Sequence, residues 1–166
     1  MKRNIIRICI GLLLFIPSVV LASVVIPMYL VTKHDNNKYI GSVTAEQTQY
    51  GLLLTPNLSH LSPGPHGFHL HQNPSCADNG LAAGGHFDPQ NTGKHLGPYG
   101  VGHLGDLPVL IVDKQGKATV PELAPRLNIK DLSGHALMIH AEGDNYSDTP
   151  KALGGGGARV ACGVIK

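Results

Sequence analysis

The sequence contains no tryptophan and few other aromatics, five tyrosines and three phenylalanines in 166 residues. Charged residues are also scarce, at 14%, and the formal net charge is only +2. A nucleic-acid binder shows a clustered basic face, so this composition excludes that class. The apolar fraction of 42% is too high for a disordered chain. No Gly-X-Y period runs through the 21 glycines and 12 prolines, which excludes collagen. No stretch of helical period appears either. A turn-rich all-β domain remains, and 166 residues are enough for one domain with a real core. What the chain does have in excess is histidine: ten, more than all its aromatics together.

The N-terminus differs from the rest. Lys2, Arg3 and Arg7 precede an apolar run from Ile8 to Leu21, and Val20-Leu21-Ala22 offers a cleavage site before Ser23. This is the pattern of a secretory signal peptide. The rival is an uncleaved anchor, because no charge recurs until Lys33. Pro17 and Pro27 interrupt that run, however, and Val24–Val31 reads as a first strand. The expected division is therefore a leader over 1–22 and a domain over 23–166. No Leu-x-x-Cys lipid-attachment pattern sits at the cut. Cleavage removes three cations and no acids, leaving ten Lys and Arg against eleven Asp and Glu, a net charge of −1. It also removes Cys9, leaving Cys76 and Cys162. Two cysteines in an oxidising compartment suggest one disulfide, with a pair of buried thiols as the alternative.

In the domain, short β-branched and aliphatic runs alternate with turn signals. The spacing predicts strands at Val24–Val31, Tyr39–Thr44, Tyr50–Leu58, Gly67–His71, Pro108–Val112, Ala118–Val120, His135–His140 and Arg159–Ile165. Turns are expected at Asp35-Asn36-Asn37, Ser62-Pro63-Gly64-Pro65 and Asp113-Lys114-Gln115-Gly116. Two segments do not fit, Gln72–Leu107 and Ala141–Ala158. Irregular segments this long in a compact domain are either functional or disordered.

The histidines favour function. His69 and His71 stand at i and i+2 in a strand, so alternation places both rings on one face, the edge of a metal site. His140 ends another strand, with Asp144 four residues on. The first long loop holds His86, His95, His103 and Asp106. Six histidines and one aspartate are too many for one tetrahedral site. Two four-ligand sites need eight donors, which seven side chains supply if one imidazole uses both nitrogens. An all-histidine set suits copper, and a histidine-rich set with one carboxylate suits zinc. Spacing does not identify the bridging ring.

Gly67-Phe68-His69-Leu70-His71, Gly84-Gly85-His86-Phe87-Asp88-Pro89, His103-Leu104-Gly105-Asp106-Leu107-Pro108, His140 with Asp144, and Gly155 through Ile165 together resemble the bacterial, exported copper/zinc superoxide dismutases. The resemblance covers essentially all of residues 23–166, with the motifs in order. It implies an eight-stranded Greek-key β-sandwich or flattened barrel of immunoglobulin-like architecture with two long functional loops. It further implies one copper and one zinc per chain, superoxide as substrate, and a periplasmic protein without membrane association once the leader is gone. His69, His71, His86 and His140 resemble the copper ligands. His86 resembles the bridging imidazolate, which the family pattern has carrying a proton, and His95, His103 and Asp106 the remaining zinc ligands. Asp144 resembles the aspartate that orients one ligand of each metal, and Arg159 the arginine beside the open copper position. Cys76 and Cys162 resemble the family disulfide. Because the family includes monomers and homodimers, the oligomeric state stays open.

Of the other histidines, His34 and His60 read as solvated turn residues and His66 as a structural neighbour of the site. His135 has no identifiable partner. The loop Ala77–Gly85 is shorter than in many bacterial members, and Lys151 is the lone cation of the second loop before Arg159. Substrate steering is therefore in question, and the metals are not. Two other classes compete. A metal-buffering module would need the ligands and not Arg159, whereas a zinc hydrolase would need an open zinc position and a general base.

Overall fold

The computed structural model describes residues 22–31 and 37–166. Residues 1–21 of the expected leader, His34, and Asp35 and Asn36 of the expected turn lie outside the described residues. Nine strands form an all-antiparallel fold, with no α-helix among the described residues: β1 Ser23–Leu30, β2 Tyr39–Thr48, β3 Gly51–Leu58, β4 Gly64–His66, β5 Phe68–His71, β6 Leu110–Val112, β7 Glu122–Ala124, β8 His135–His140 and β9 Arg159–Ile165. Seven make one curled sheet in the order β5-β8-β9-β1-β2-β3-β7, and β4 pairs with β6. The last strand returns to pair with the first, a Greek-key feature.

Alternation explains most of these strands. Ile26, Met28 and Leu30 of β1 point inward, as do Leu52, Leu54 and Leu58 of β3. They meet Phe68, Leu70, Leu137 and Ile139 in one core, to which β6 adds Leu110 and Val112. Burial of this apolar surface is the main driving force for the fold. In β2 the alternation breaks: Ile40 and Val43 are both buried, and the β1 register skips Ile40. A bulge there keeps both side chains inside.

The structure departs from the expected strands at two places. Ala118–Val120 is not a strand: only Ala118 bridges to Leu58, and the pairing with β3 passes to Glu122–Ala124. The second is Ser62–Pro65, expected as a turn, whose end enters β4 through Gly64 and Pro65. Both elements are three residues long, too short for a periodic signal.

Strand β8 is buried on both faces. Leu137 and Ile139 face the main core, while Ala136 and Met138 pack with Val31, Ala83 and Cys162 in a second cluster. The first long loop covers this outer face. Its turn at Leu81–Ala83 supplies Ala83, and the Cys76–Cys162 disulfide ties the loop to β9. The bridge spans 86 residues of sequence, so it restricts the unfolded chain strongly.

Replacing Cys76 and Cys162 together by serine should lower the unfolding free energy by about 4 kcal/mol. Urea titration of oxidised wild type and variant measures the difference, and equal midpoints would mean that the bridge does not constrain this loop.

Candidate metal centre

Strand β5 lies at the edge of the large sheet, and its two faces separate two kinds of residue. Phe68 and Leu70 enter the core, and His69 and His71 take the opposite face, as the i, i+2 spacing predicts. The free edge of β5 is then completed by pieces of the first long loop. Phe87 N–H donates to the Leu70 carbonyl at 2.8 Å, Leu70 N–H to the Gly105 carbonyl at 2.9 Å, and Gln72 N–H to the Gly85 carbonyl at 3.0 Å. This pairing sets His86 opposite His71 and Asp106 opposite His69. It also explains Gly105: a Cβ there would lie 2.2 Å from the Leu70 carbonyl oxygen. A register shift between Ile139 and His140 puts His140 across from Arg159.

All seven side chains expected as ligands come together and are buried. They form two groups, His69, His71, His86 and His140, and His86, His95, His103 and Asp106, with the ligand atoms of each within 4.8 Å of one another. His86 is the residue common to both. Spacing alone leaves the bridging ring unassigned, and the tertiary structure identifies it.

Four of the six rings are held at one nitrogen by an acceptor outside the two groups. His71 Nδ1 donates to the Gly84 carbonyl at 2.9 Å and His140 Nδ1 to the Gly157 carbonyl at 3.3 Å. The Asp144 carboxylate accepts from His69 Nε2 at 2.7 Å and from His95 Nε2 at 2.8 Å. Asp144 thereby joins one ring of each group. Gly154 packs under this carboxylate at φ 73°, where a Cβ would sit 1.9 Å from Asp144 Oδ1.

The opposite nitrogens converge. Nδ1 of His69, His95 and His103 is buried and has no hydrogen-bond partner. His71 Nε2 faces His140 Nε2 at 3.4 Å. Asp106 Oδ1 has His86 Nδ1 at 2.9 Å, His95 Nδ1 at 3.0 Å and His103 Nδ1 at 3.4 Å, yet it accepts a hydrogen bond only from the first. Buried nitrogens without partners are costly unless a cation completes them. The first group offers four imidazoles, which suits copper. The second offers three imidazoles and a carboxylate, which suits zinc. The residues therefore fit both metals.

The charge states agree with that fit. Burial, reinforced by neighbouring histidines, depresses His69 to about 3, His71 to about 2 and His140 to about 4, which leaves their rings neutral at pH 7. His86 is lowered by burial as well. His95 is an exception: burial opposes its protonation, but the Asp106 and Asp144 carboxylates outweigh this and raise it to about 9. Both carboxylates are buried, and the histidines bonded to them hold them well below the usual range.

Arg159 opens β9 across from His140. Its two terminal nitrogens donate to the Gly80 and Gly84 carbonyls, and it lines a cavity of about 280 Å³ with His140, Leu81, Leu153, Gly156 and Gly157. The arginine therefore has the structural contacts of a strand-end residue and also lines a cavity with His140.

The remaining histidines divide. His66 is buried, with Nδ1 2.6 Å from the His140 carbonyl and Nε2 2.8 Å from that of Ser62. His60 is exposed. His135, which had no identifiable partner in the sequence, donates to the Gln72 carbonyl at 2.8 Å and rests on Phe87. Other contacts had no signal in the sequence. Asp148 accepts from the His95 N–H at 2.9 Å, tying the second loop to the first, and the Tyr146 hydroxyl accepts from the Val109 N–H at 2.9 Å, just before β6. The carbonyls of Gly84 and Gly157 are backbone atoms, so residue identity could not reveal them.

A family model described as copper/zinc superoxide dismutase matches residues 39–165. The chain is 54% identical over 159 residues to a superoxide dismutase [Cu-Zn] of Legionella pneumophila, covering 96% of both chains. It is 53% identical over 154 residues to that of Escherichia coli K12, covering 87% of this chain and 89% of the relative. Among solved structures, the Cu/Zn superoxide dismutase from Brucella abortus superposes with a TM-score of 0.84 at 47% identity, over 87% of this chain and all of that one. The solution structure of the monomeric enzyme from Salmonella enterica gives 0.76 at 55%, with the same coverage.

The depressed histidines make the metal-free protein sensitive to acid. Their folded pKa values lie below the unfolded value of 6.5, so the unfolded chain takes up protons first as pH falls. Stability should drop from pH 6.5 towards 4, and Asp106 and Asp144 add to the loss below the ordinary carboxylate range. His95 acts oppositely: its contribution is complete below 6.5 and lost as pH rises through about 9. Urea midpoints of chelator-treated protein should therefore fall between pH 7 and 5, and a flat profile would contradict neutral buried rings.

Proposed function

Because the chain belongs to the copper/zinc superoxide dismutase family, we propose that its two donor groups divide one task, with His69, His71, His86 and His140 holding copper and His86, His95, His103 and Asp106 holding zinc. The activity is dismutation of superoxide: two superoxide anions and two protons become dioxygen and hydrogen peroxide. When bound, copper supplies the one-electron couple and zinc a fixed cationic centre. The chain's own groups do the rest.

The observation that carries this reading is the double membership of His86. Its Nδ1 is directed at Asp106, which leaves Nε2 for the all-histidine group. Whenever His86 Nε2 is not engaged by a metal it would take a proton from solvent and pass it to the peroxide, and a second solvent proton would complete hydrogen peroxide. Asp144 accepts from Nε2 of both rings through its two oxygens and so presents their Nδ1 inward, a role an amide could not fill because it has one acceptor oxygen and a donor NH2 in place of the second. The four donors of the zinc group leave it no open position, which disfavours a zinc hydrolase.

Arg159 serves the substrate. Superoxide is a small anion, and a guanidinium stays protonated at any accessible pH. Its two carbonyl contacts hold it at the cavity beside His140. A module that only buffered metal would have no use for a cation there. The protein acts in the periplasm after loss of residues 1–22. The basic-then-apolar leader, the disulfide and the bacterial relatives support this reading.

Two measurements test the proposal. Arg159→Ile should retain one copper and one zinc per chain, while superoxide decay slows about tenfold and loses much of its ionic-strength dependence. Wild-type activity at low salt with full metal content would reduce Arg159 to a structural residue. N-terminal sequencing of protein from the cell envelope should begin at about Ser23, and an intact Met1 in the membrane fraction would contradict cleavage.

A further inference from the structure

We propose that Arg126, which lies in neither metal-site loop, is a positioning residue for the zinc ligands. It follows β7, between buried Ala124 and Leu127, and the Leu127 N–H donates to the Ala124 carbonyl at 3.3 Å. The next turn, Ile129–Asp131, is tied to β2 by the Ile129 N–H bond to the Gln47 side-chain oxygen at 2.8 Å. Arg126 therefore extends from a segment anchored to the large sheet on both sides.

Its guanidinium clamps two consecutive carbonyls of the first long loop. Nη2 donates to Gly102 at 2.8 Å and Nη1 to His103 at 3.1 Å. The His103 carbonyl also receives the Asp106 N–H at 3.5 Å, closing the His103–Asp106 turn. One carbonyl oxygen thus joins the arginine to the turn that presents two of the four zinc donors. Towards the other side, the His103 N–H donates to the Lys94 carbonyl at 2.9 Å, beside His95. Gly102 is pressed against this contact, since a Cβ there would lie 2.3 Å from the Lys94 oxygen. A displaced 102–103 peptide would therefore shift His103, Asp106 and, through Lys94, His95.

The fork is the essential feature. A guanidinium presents donors at fixed spacing in one plane, so it can hold the carbonyls of two adjacent peptide units and set their orientation. A lysine keeps the charge at a single point and cannot hold both carbonyls in that geometry. The competing explanation is a contact that stabilises the fold without affecting the zinc donors.

This inference rests on the zinc reading above, and the experiment separates the two. Mature wild type, Arg126→Lys and Arg126→Gln are prepared with Co(II) in the zinc position, and zinc affinity is measured by chelator competition. Absence of tetrahedral Co(II) bands in wild type would overturn the zinc reading itself. With those bands present in wild type, both variants should show altered band positions or intensities and hold zinc about tenfold less tightly. Wild-type spectra and affinity in both variants would overturn the role of Arg126. So would a loss of unfolding free energy in the metal-free variants as large as their loss of zinc binding. Should Arg126→Gln not fold, Arg126→Lys, which keeps the charge and loses the fork, decides the question.

Discussion

The Asp144 carboxylate lies between two buried imidazoles, accepting from His69 on one side and His95 on the other, with its own side chain out of water. Much of the centre depends on this arrangement. A ring bound at Nε2 presents Nδ1 to the interior, so one acid sets the orientation of a ligand in each donor group. It belongs to the second loop, while His95 belongs to the first and His69 to β5. Three separate parts of the chain therefore have to be in place before either donor group is complete. Gly154 is part of the same constraint, because any side chain there would occupy the carboxylate's position.

The scaffold meets this demand by leaving one sheet edge unfinished. β5 pairs with β8 on one side only, and the first loop completes the other side through Leu70, Phe87 and Gly105. Ligands on an irregular segment thus acquire the precision of a strand. The disulfide holds the same loop over the outer face of β8 and β9, and Arg159 binds its Gly80 and Gly84 carbonyls. Gly84 also accepts from His71, so the contacts of the arginine and of a ligand meet on one carbonyl. Backbone carbonyls and carboxylates around the rim take the outward ring nitrogens, and the inward ones are left for cations.

Charge follows the same geometry. Deep burial keeps the rings of the all-histidine group neutral, with lone pairs available to a metal. The second group carries the compensating negative charge in Asp106, with Asp144 close by. Between those two acids His95 is protonated in the metal-free chain, so a metal ion entering there displaces a proton. The centre is built for cations from the outset, with the low dielectric of the interior strengthening each of these interactions.

Much of this was legible in the residues themselves. Alternation in β1 and β3, the shared face of His69 and His71, and the need for eight donors from seven side chains all follow from local spacing and from the chemistry of imidazole. The seven ligand types are properties of the sequence because each is a side chain in a recognisable context. What the sequence could not specify was pairing at a distance. His86 became the bridging ring because the Gly85–Phe87 segment zips onto β5 opposite His71. The strand expected at Ala118–Val120 gave way to Glu122–Ala124 because β3 selects its partner by register. The clamp of Arg126 on the Gly102 and His103 carbonyls joins residues more than 20 positions apart through backbone atoms that every residue possesses. Local sequence thus determined which groups could bind a metal, and only the closure of the fold decided which nitrogen of each ring faces it.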